Sequence, residues 1–180
     1  IVAAQVLGVT GRDDLLALRA ANDVLGGNFL SRINTNLRET KGWSYGASSG
    51  VSGQENQIAF RANAPVQADR TADSIREILG EITRFRSESG VTPVELARTV
   101  NGSIRELPGS FETADDVMGG VQQIINLGRP DDYYEQLATR YRSLTASQLD
   151  AALRAQVDPA RLVFVVVGDE RVVRSQLDGL

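Results

Sequence analysis

Apolar positions dominate from Val2 to Val9, which reads as a strand. After Asp13-Asp14, Leu15, Leu16, Leu18, Ala21, Val24 and Leu25 recur at helical spacing, and Gly26-Gly27 ends that helix. A second helix is expected from about Asn28 to Thr40, with Phe29, Leu30, Ile33 and Leu37 as its stripe and Gly42 as a left-handed terminator. Ser44 to Val51 and Gln57 to Asn63 read as a hairpin around the polar turn 52–56, closed by Pro65. A long amphipathic helix follows from Val66 to Ser89, its stripe Ala68, Ile75, Ile78, Leu79, Ile82 and Phe85. Thr92-Pro93-Val94-Glu95 is a capping box with proline at the first helical position, opening a helix that runs to about Leu107. Helices are expected over Thr113–Leu127, Asp131–Arg142 and, from the second capping box Thr145-Ala146-Ser147-Gln148, to about Gln156. Arg161 to Val167 has the valine-rich character of a buried strand, and Gly168-Asp169 leads into a last helix. The order β-α-α-β-β-α-α-α-α-α-β-α predicts an α+β fold, one mainly antiparallel sheet with helices packed on it. With no repeat or linker in sight, residues 1–180 are expected to form one domain.

Composition narrows the chemistry. The 180 residues include no Cys and no His. Disulfides, thiolate nucleophiles, Ser-His-Asp machinery and histidine- or cysteine-bound zinc are therefore outside this chain's means. Its net charge of −4 gives no basic face for nucleic acid. The longest wholly apolar run, Leu162 to Val167, is far below the ~20 residues that span a bilayer, so no membrane segment is expected. The chain opens with a strand-like stretch at Ile1, without a basic leader, which reads as a piece of a larger protein.

Several motifs have structural explanations. Gly42-Trp43-Ser44-Tyr45-Gly46 satisfies G-x-S-x-G, but a nucleophile elbow runs from strand to helix and this stretch runs from helix to strand. Asn101-Gly102-Ser103 matches a glycosylation acceptor inside an expected helix. Asp13-Asp14, Asp115-Asp116, Asp131-Asp132 and Asp169-Glu170 sit near helix starts, where carboxylates favour the dipole. No phosphate-binding glycine spacing occurs. Taken one at a time, Arg38 complements a helix C-terminus and Tyr45 is a good strand former.

Together, Leu25, Gly26, Gly27, Ser31, Arg32, Leu37, Arg38, Glu39, Lys41, Gly42 and Tyr45 stand in the order LGG-x-x-x-S-R-x-x-x-x-L-R-E-x-K-G-x-x-Y. This stretch resembles the second, non-zinc domain of the pitrilysin, insulinase and mitochondrial processing peptidase family of inverzincin metallopeptidases. The opening strand, both capping boxes, the Pro130-Asp131-Asp132-Tyr133-Tyr134 turn and the Val165–Asp169 strand end keep the family's order. Trp43 stands where many members have Leu, and Leu30 replaces a small residue.

The resemblance implies that Arg38 and Tyr45, seven positions apart at a helix-to-strand junction, are the catalytic and substrate-binding pair. Attack on a peptide carbonyl builds negative charge on its oxygen, and guanidinium N–H and phenol O–H are both donors. It implies no cofactor in this chain. Zinc is expected in a homologous H-x-x-E-H domain, in the same chain or a partner, with a peptide as substrate. Family precedent points to the periplasm or cell envelope of a Gram-negative bacterium, with the cytoplasm open. The alternative is a catalytically inactive scaffold subunit of the same fold.

Overall fold

The computed structural model describes residues 1–87, 89–178 and 180. Four strands, β1 (Val2–Val6), β2 (Ser48–Gln54), β3 (Gln57–Asn63) and β4 (Val163–Val165), form a sheet in the order β2-β3-β1-β4. Every pairing is antiparallel, with Ala3 opposite both Ala62 and Phe164, and Val51 opposite Phe60. Eight α-helices accompany the sheet among the described residues: α1 (Leu16–Asn22), α2 (Arg32–Asn34), α3 (Thr71–Ser87), α4 (Pro93–Glu106), α5 (Ala114–Leu127), α6 (Tyr133–Ser143), α7 (Ala146–Gln156) and α8 (Glu170–Leu177). The expected α+β architecture is the one observed.

Alternation along the strands sends Ala3, Gln5, Ser49, Val51, Ile58, Phe60 and Ala62 to one face. There they meet Val24, Leu25, Ile33, Leu37, Ile78, Ile82, Phe85, Leu149 and Leu153 in one core cluster. Gln5 is buried in this layer with both ends satisfied: its Nε2 donates to Gln156 O (2.8 Å) and its Oε1 accepts from Asp158 N (2.9 Å). The last strand departs from expectation. Only three residues pair, and Val163, Val165 and the following Val167 face outward and are exposed. A valine run there fits an edge strand with one open face, because no described residue covers that side.

Helix boundaries also shift. The long helix begins at Thr71, after a 3₁₀ turn at Ala68–Arg70, so Ala68 is exposed rather than part of the stripe. The expected span also crosses Glu88, which lies outside the described residues. The expected helix from Asn28 starts only at Arg32, because Asn28 Oδ1 accepts from Leu30 N and Ser31 is extended. Phe29 and Leu30 consequently lie outside any stripe and are exposed. Both capping boxes form, at Thr92/Glu95 and Thr145/Gln148, and Thr113/Asp116 makes a third.

Two helices end in π-helical turns. α1 runs into Asp23–Gly27 and α2 into Thr35–Thr40. Such i→i+5 turns disturb side-chain register and gather at functional positions. α2 is held against α4 by Arg32, whose Nε and Nη2 donate to Glu95 Oε1 (2.7 Å) and Oε2 (2.8 Å). The same guanidinium reaches Ser89 O and Gly90 O. Burial pushes the Glu95 carboxyl up, but bonds from Arg32 and Thr92 and the guanidinium charge outweigh it and hold it at about 2.

Candidate functional site

The second π turn delivers Leu37 to the core and leaves Arg38 at the surface, its side chain one-third exposed. The Arg38 guanidinium stacks over the Phe29 ring, 4.4 Å from its centroid, and Nη1 lies 3.0 Å from Glu39 Oε1. Stacking and ion pair restrict the side chain without burying its donors.

The chain then turns sharply. Gly42 adopts φ +66°, as its predicted role as left-handed terminator requires. Trp43 N donates to Leu37 O (2.9 Å) and Gln67 N to Trp43 O (3.0 Å). Ser44 pairs with Val66 in an isolated antiparallel bridge, and its hydroxyl, with one proton to give, lies within hydrogen-bond distance of Pro65 O (2.6 Å) and Gly46 O (2.9 Å). That donor role, and the helix-first geometry around it, make Ser44 a strut rather than a nucleophile. On the far side, Asn34 Oδ1 accepts from Ala47 N (2.9 Å) while its Nδ2 donates to Phe29 O (2.6 Å). Asn36 and Lys41 tie the turn to α3, through Glu77 and Glu81. The strand expected from Ser44 begins only at Ser48 because residues 44–47 are spent on this strut.

Between these fixed points stands Tyr45, 100% exposed. Among the described residues its hydroxyl has no hydrogen-bond partner. It rims a cleft of about 420 Å³ whose walls are Gly42, Trp43 and Ser44 on one side and Pro65, Val66 and Gln67 on the other. A shallower depression of about 310 Å³ lies beside it, reaching from Phe29 to Gly46. Arg38 and Tyr45 therefore project from one braced junction without touching each other.

Phe29 and the 65–67 wall escape the sequence reading. The Arg38–Phe29 stack spans nine positions across an irregular connection, and the wall comes from beyond the hairpin. Asp23 is a further titratable group, half-buried, not apparent in the sequence. Burial first, then the negative charge of Glu106, push its carboxyl up to about 6. It lines a polar cleft of about 390 Å³ with Arg19, Ser103, Glu106 and Tyr141. Of the paired acids, Asp116 and Asp169 cap helix starts as expected, whereas Asp132 makes no cap bond.

The donor set does not suit catalytic zinc. His and Cys are absent from the chain, and among the described residues no three acidic side chains gather closely enough to hold a metal ion. No described helix is long and apolar enough to cross a membrane.

Comparison with known proteins places this geometry in context. No curated protein sequence matches. Among solved structures, a peptidase M16 inactive domain from Pseudomonas fluorescens superposes with a TM-score of 0.76 at 23% identity, over 89% of this chain and 39% of that one. A protease from Helicobacter pylori gives 0.74 at 16% identity, over 89% and 39%. A chain of complex III2 from Candida albicans gives 0.71 at 12% identity, over 90% and 41%. At such identities the likeness establishes the fold, and this chain spans about two-fifths of the length of these relatives. The family model for the peptidase M16 inactive domain matches residues 1–103, which include the entire Leu25–Tyr45 stretch and its bracing strands. The chain belongs to the peptidase M16 inactive-domain family.

Proposed function

We propose that residues 1–180 are one domain, the non-zinc half of a zinc metalloendopeptidase. It binds substrate peptide and stabilises the oxyanion through Arg38 and Tyr45. The zinc site belongs to a homologous H-x-x-E-H domain in the same chain or a partner, a reading supported by the absence of His and Cys here. The observation that carries this reading is the complete exposure of Tyr45 on a braced loop. A ring that buries nothing contributes no packing energy to this chain, which leaves its hydroxyl free to donate to a group outside it. Arg38, restricted by Phe29 and Glu39, offers a permanent charge from the same junction.

As a peptide carbonyl is attacked, negative charge collects on its oxygen, and two donors held near it stabilise the transition state more than the ground state. In the complete zinc-containing protein, Tyr45→Phe and Arg38→Ala should each lower kcat for peptide hydrolysis by roughly 10²–10³ while zinc content holds. Normal cleavage by both variants would leave the pair without this role. The alternative is a catalytically inactive scaffold, favoured by one observation, the same fold in a chain of complex III2. Under that reading neither variant alters any hydrolytic activity.

A further inference from the structure

We infer that Phe29 is a positioning residue for peptide hydrolysis: its ring is the platform that orients the Arg38 guanidinium towards the developing oxyanion. This rests on the preceding reading, since Phe29 acts only through Arg38.

The geometry divides the guanidinium between two tasks. The group is planar, with its N–H donors in the plane and its faces free to stack. Phe29 takes one face, its ring centroid 4.4 Å from Arg38 Cζ. Glu39 takes one corner, through Nη1 at 3.0 Å. Among the described residues Nε and Nη2 have no hydrogen-bond partner, so the edge that can give two parallel hydrogen bonds stays open. The two holds differ in kind. A single contact at Nη1 leaves the plane free to turn about it, and the Glu39 carboxylate is itself largely in solvent. A stack fixes the plane and uses no donor.

The platform is itself fixed. Residues 28–31 form no regular element, yet hydrogen bonds hold them throughout. Asn34 Nδ2 donates to Phe29 O (2.6 Å), Asn28 Nδ2 to Asp23 O (2.8 Å), Leu30 N to Asn28 Oδ1 (2.9 Å) and Arg98 Nη2 to Leu30 O (3.1 Å). The ring is 65% exposed and outside the core cluster, so this network sets its place rather than packing. Asn34 is buried, and its Oδ1 accepts from Ala47 N, two residues past Tyr45. One side chain thus fixes both the platform under Arg38 and the stretch that leads from Tyr45 into β2. Donors that stabilise a transition state act through their position, so loosening one costs rate without removing its charge.

The test uses the complete zinc-containing protein. Phe29→Leu keeps apolar bulk and removes the ring face. It should lower kcat for peptide hydrolysis by roughly three- to tenfold with KM nearly unchanged. Phe29→Tyr, which restores the face, should return kcat to within about twofold. In the Arg38→Ala background, adding Phe29→Leu should change kcat by less than about twofold, because the platform has nothing left to hold. In ¹⁵N-labelled protein the Arg38 Nε–H resonance, assigned by its loss in Arg38→Ala, should move downfield in Phe29→Leu as the shielding ring is removed, and stay near its place in Phe29→Tyr. Unaltered kcat in Phe29→Leu, an equal loss in the Arg38→Ala background, or an unmoved resonance overturns the proposal. The two readings are told apart by the single variants. Lost turnover in Arg38→Ala beside normal turnover in Phe29→Leu removes the platform alone. Normal turnover in Arg38→Ala removes the oxyanion role of that side chain, and the platform with it.

Discussion

The two π-helical turns share a backbone pattern and are put to opposite uses. At Asp23–Gly27 the turn closes onto the sheet. Asn22 Nδ2 donates to Ser49 O (3.1 Å), Ser49 Oγ donates to Asn22 Oδ1 (2.7 Å), and Gly26 sits so close that a Cβ there would lie 2.3 Å from Ser49 Oγ. At Thr35–Thr40 the turn buries only Leu37 and holds Arg38 out. One junction is a joint and the other a display. Residues of one continuous motif thus divide by burial: glycines and asparagines build the frame, and Arg38 and Tyr45 stand on it.

The sharpest way to break this contrast is Gly26→Ala. The added methyl also meets Ser49 N at 2.8 Å, so backbone must move, and a loss of about 3 kcal/mol is expected, or roughly 6–12 °C in Tm. Asn34→Ala, which strips partners from buried Ala47 N and from Phe29 O, should cost about 2 kcal/mol in denaturant unfolding.

Asp23 tests the joint by pH. Its folded-state pKa of about 6 lies above the unfolded carboxylate value, so the native state binds the extra proton between about pH 4 and 6. Stability should fall as pH rises through that window. Asp23→Asn should remove the slope and gain about 1–2 kcal/mol at pH 7, and nothing at pH 4. Arg38→Ala, by contrast, should move stability by no more than about 0.5 kcal/mol, because its stack on exposed Phe29 and its ion pair with exposed Glu39 are both surface contacts. A large loss there would make Arg38 part of the frame.

Much of this was legible beforehand. Capping boxes, the Gly42 terminator, the hairpin and the α+β order follow from local chemistry: a hydroxyl three residues before a carboxylate or amide, a glycine at positive φ, alternation of period two. The π turns were not legible, because an extra residue in a turn leaves no mark on a pattern of period 3.6. That shift helped to hide the exposure of Phe29 and so its stack under Arg38. The last strand misled for a related reason, since a valine run cannot say whether both faces are covered. Arg38 and Tyr45 stood out only through the resemblance of the whole stretch, because singly each has an ordinary structural use. The cleft wall at 65–67 depends on a bridge to Ser44 that spans the entire hairpin.

The most direct test of the display is affinity for a tetrahedral oxyanion. With the complete zinc-containing protein, a phosphinic peptide mimics the charge that develops on the carbonyl oxygen, while the parent peptide reports ground-state binding. The account predicts that Tyr45→Phe weakens the phosphinic peptide in proportion to the fall in kcat/KM and leaves the KM of the parent peptide nearly unchanged. If the variant binds the phosphinic peptide as tightly as the unaltered protein, Tyr45 does not donate to the oxyanion, and the junction displays nothing that catalysis uses.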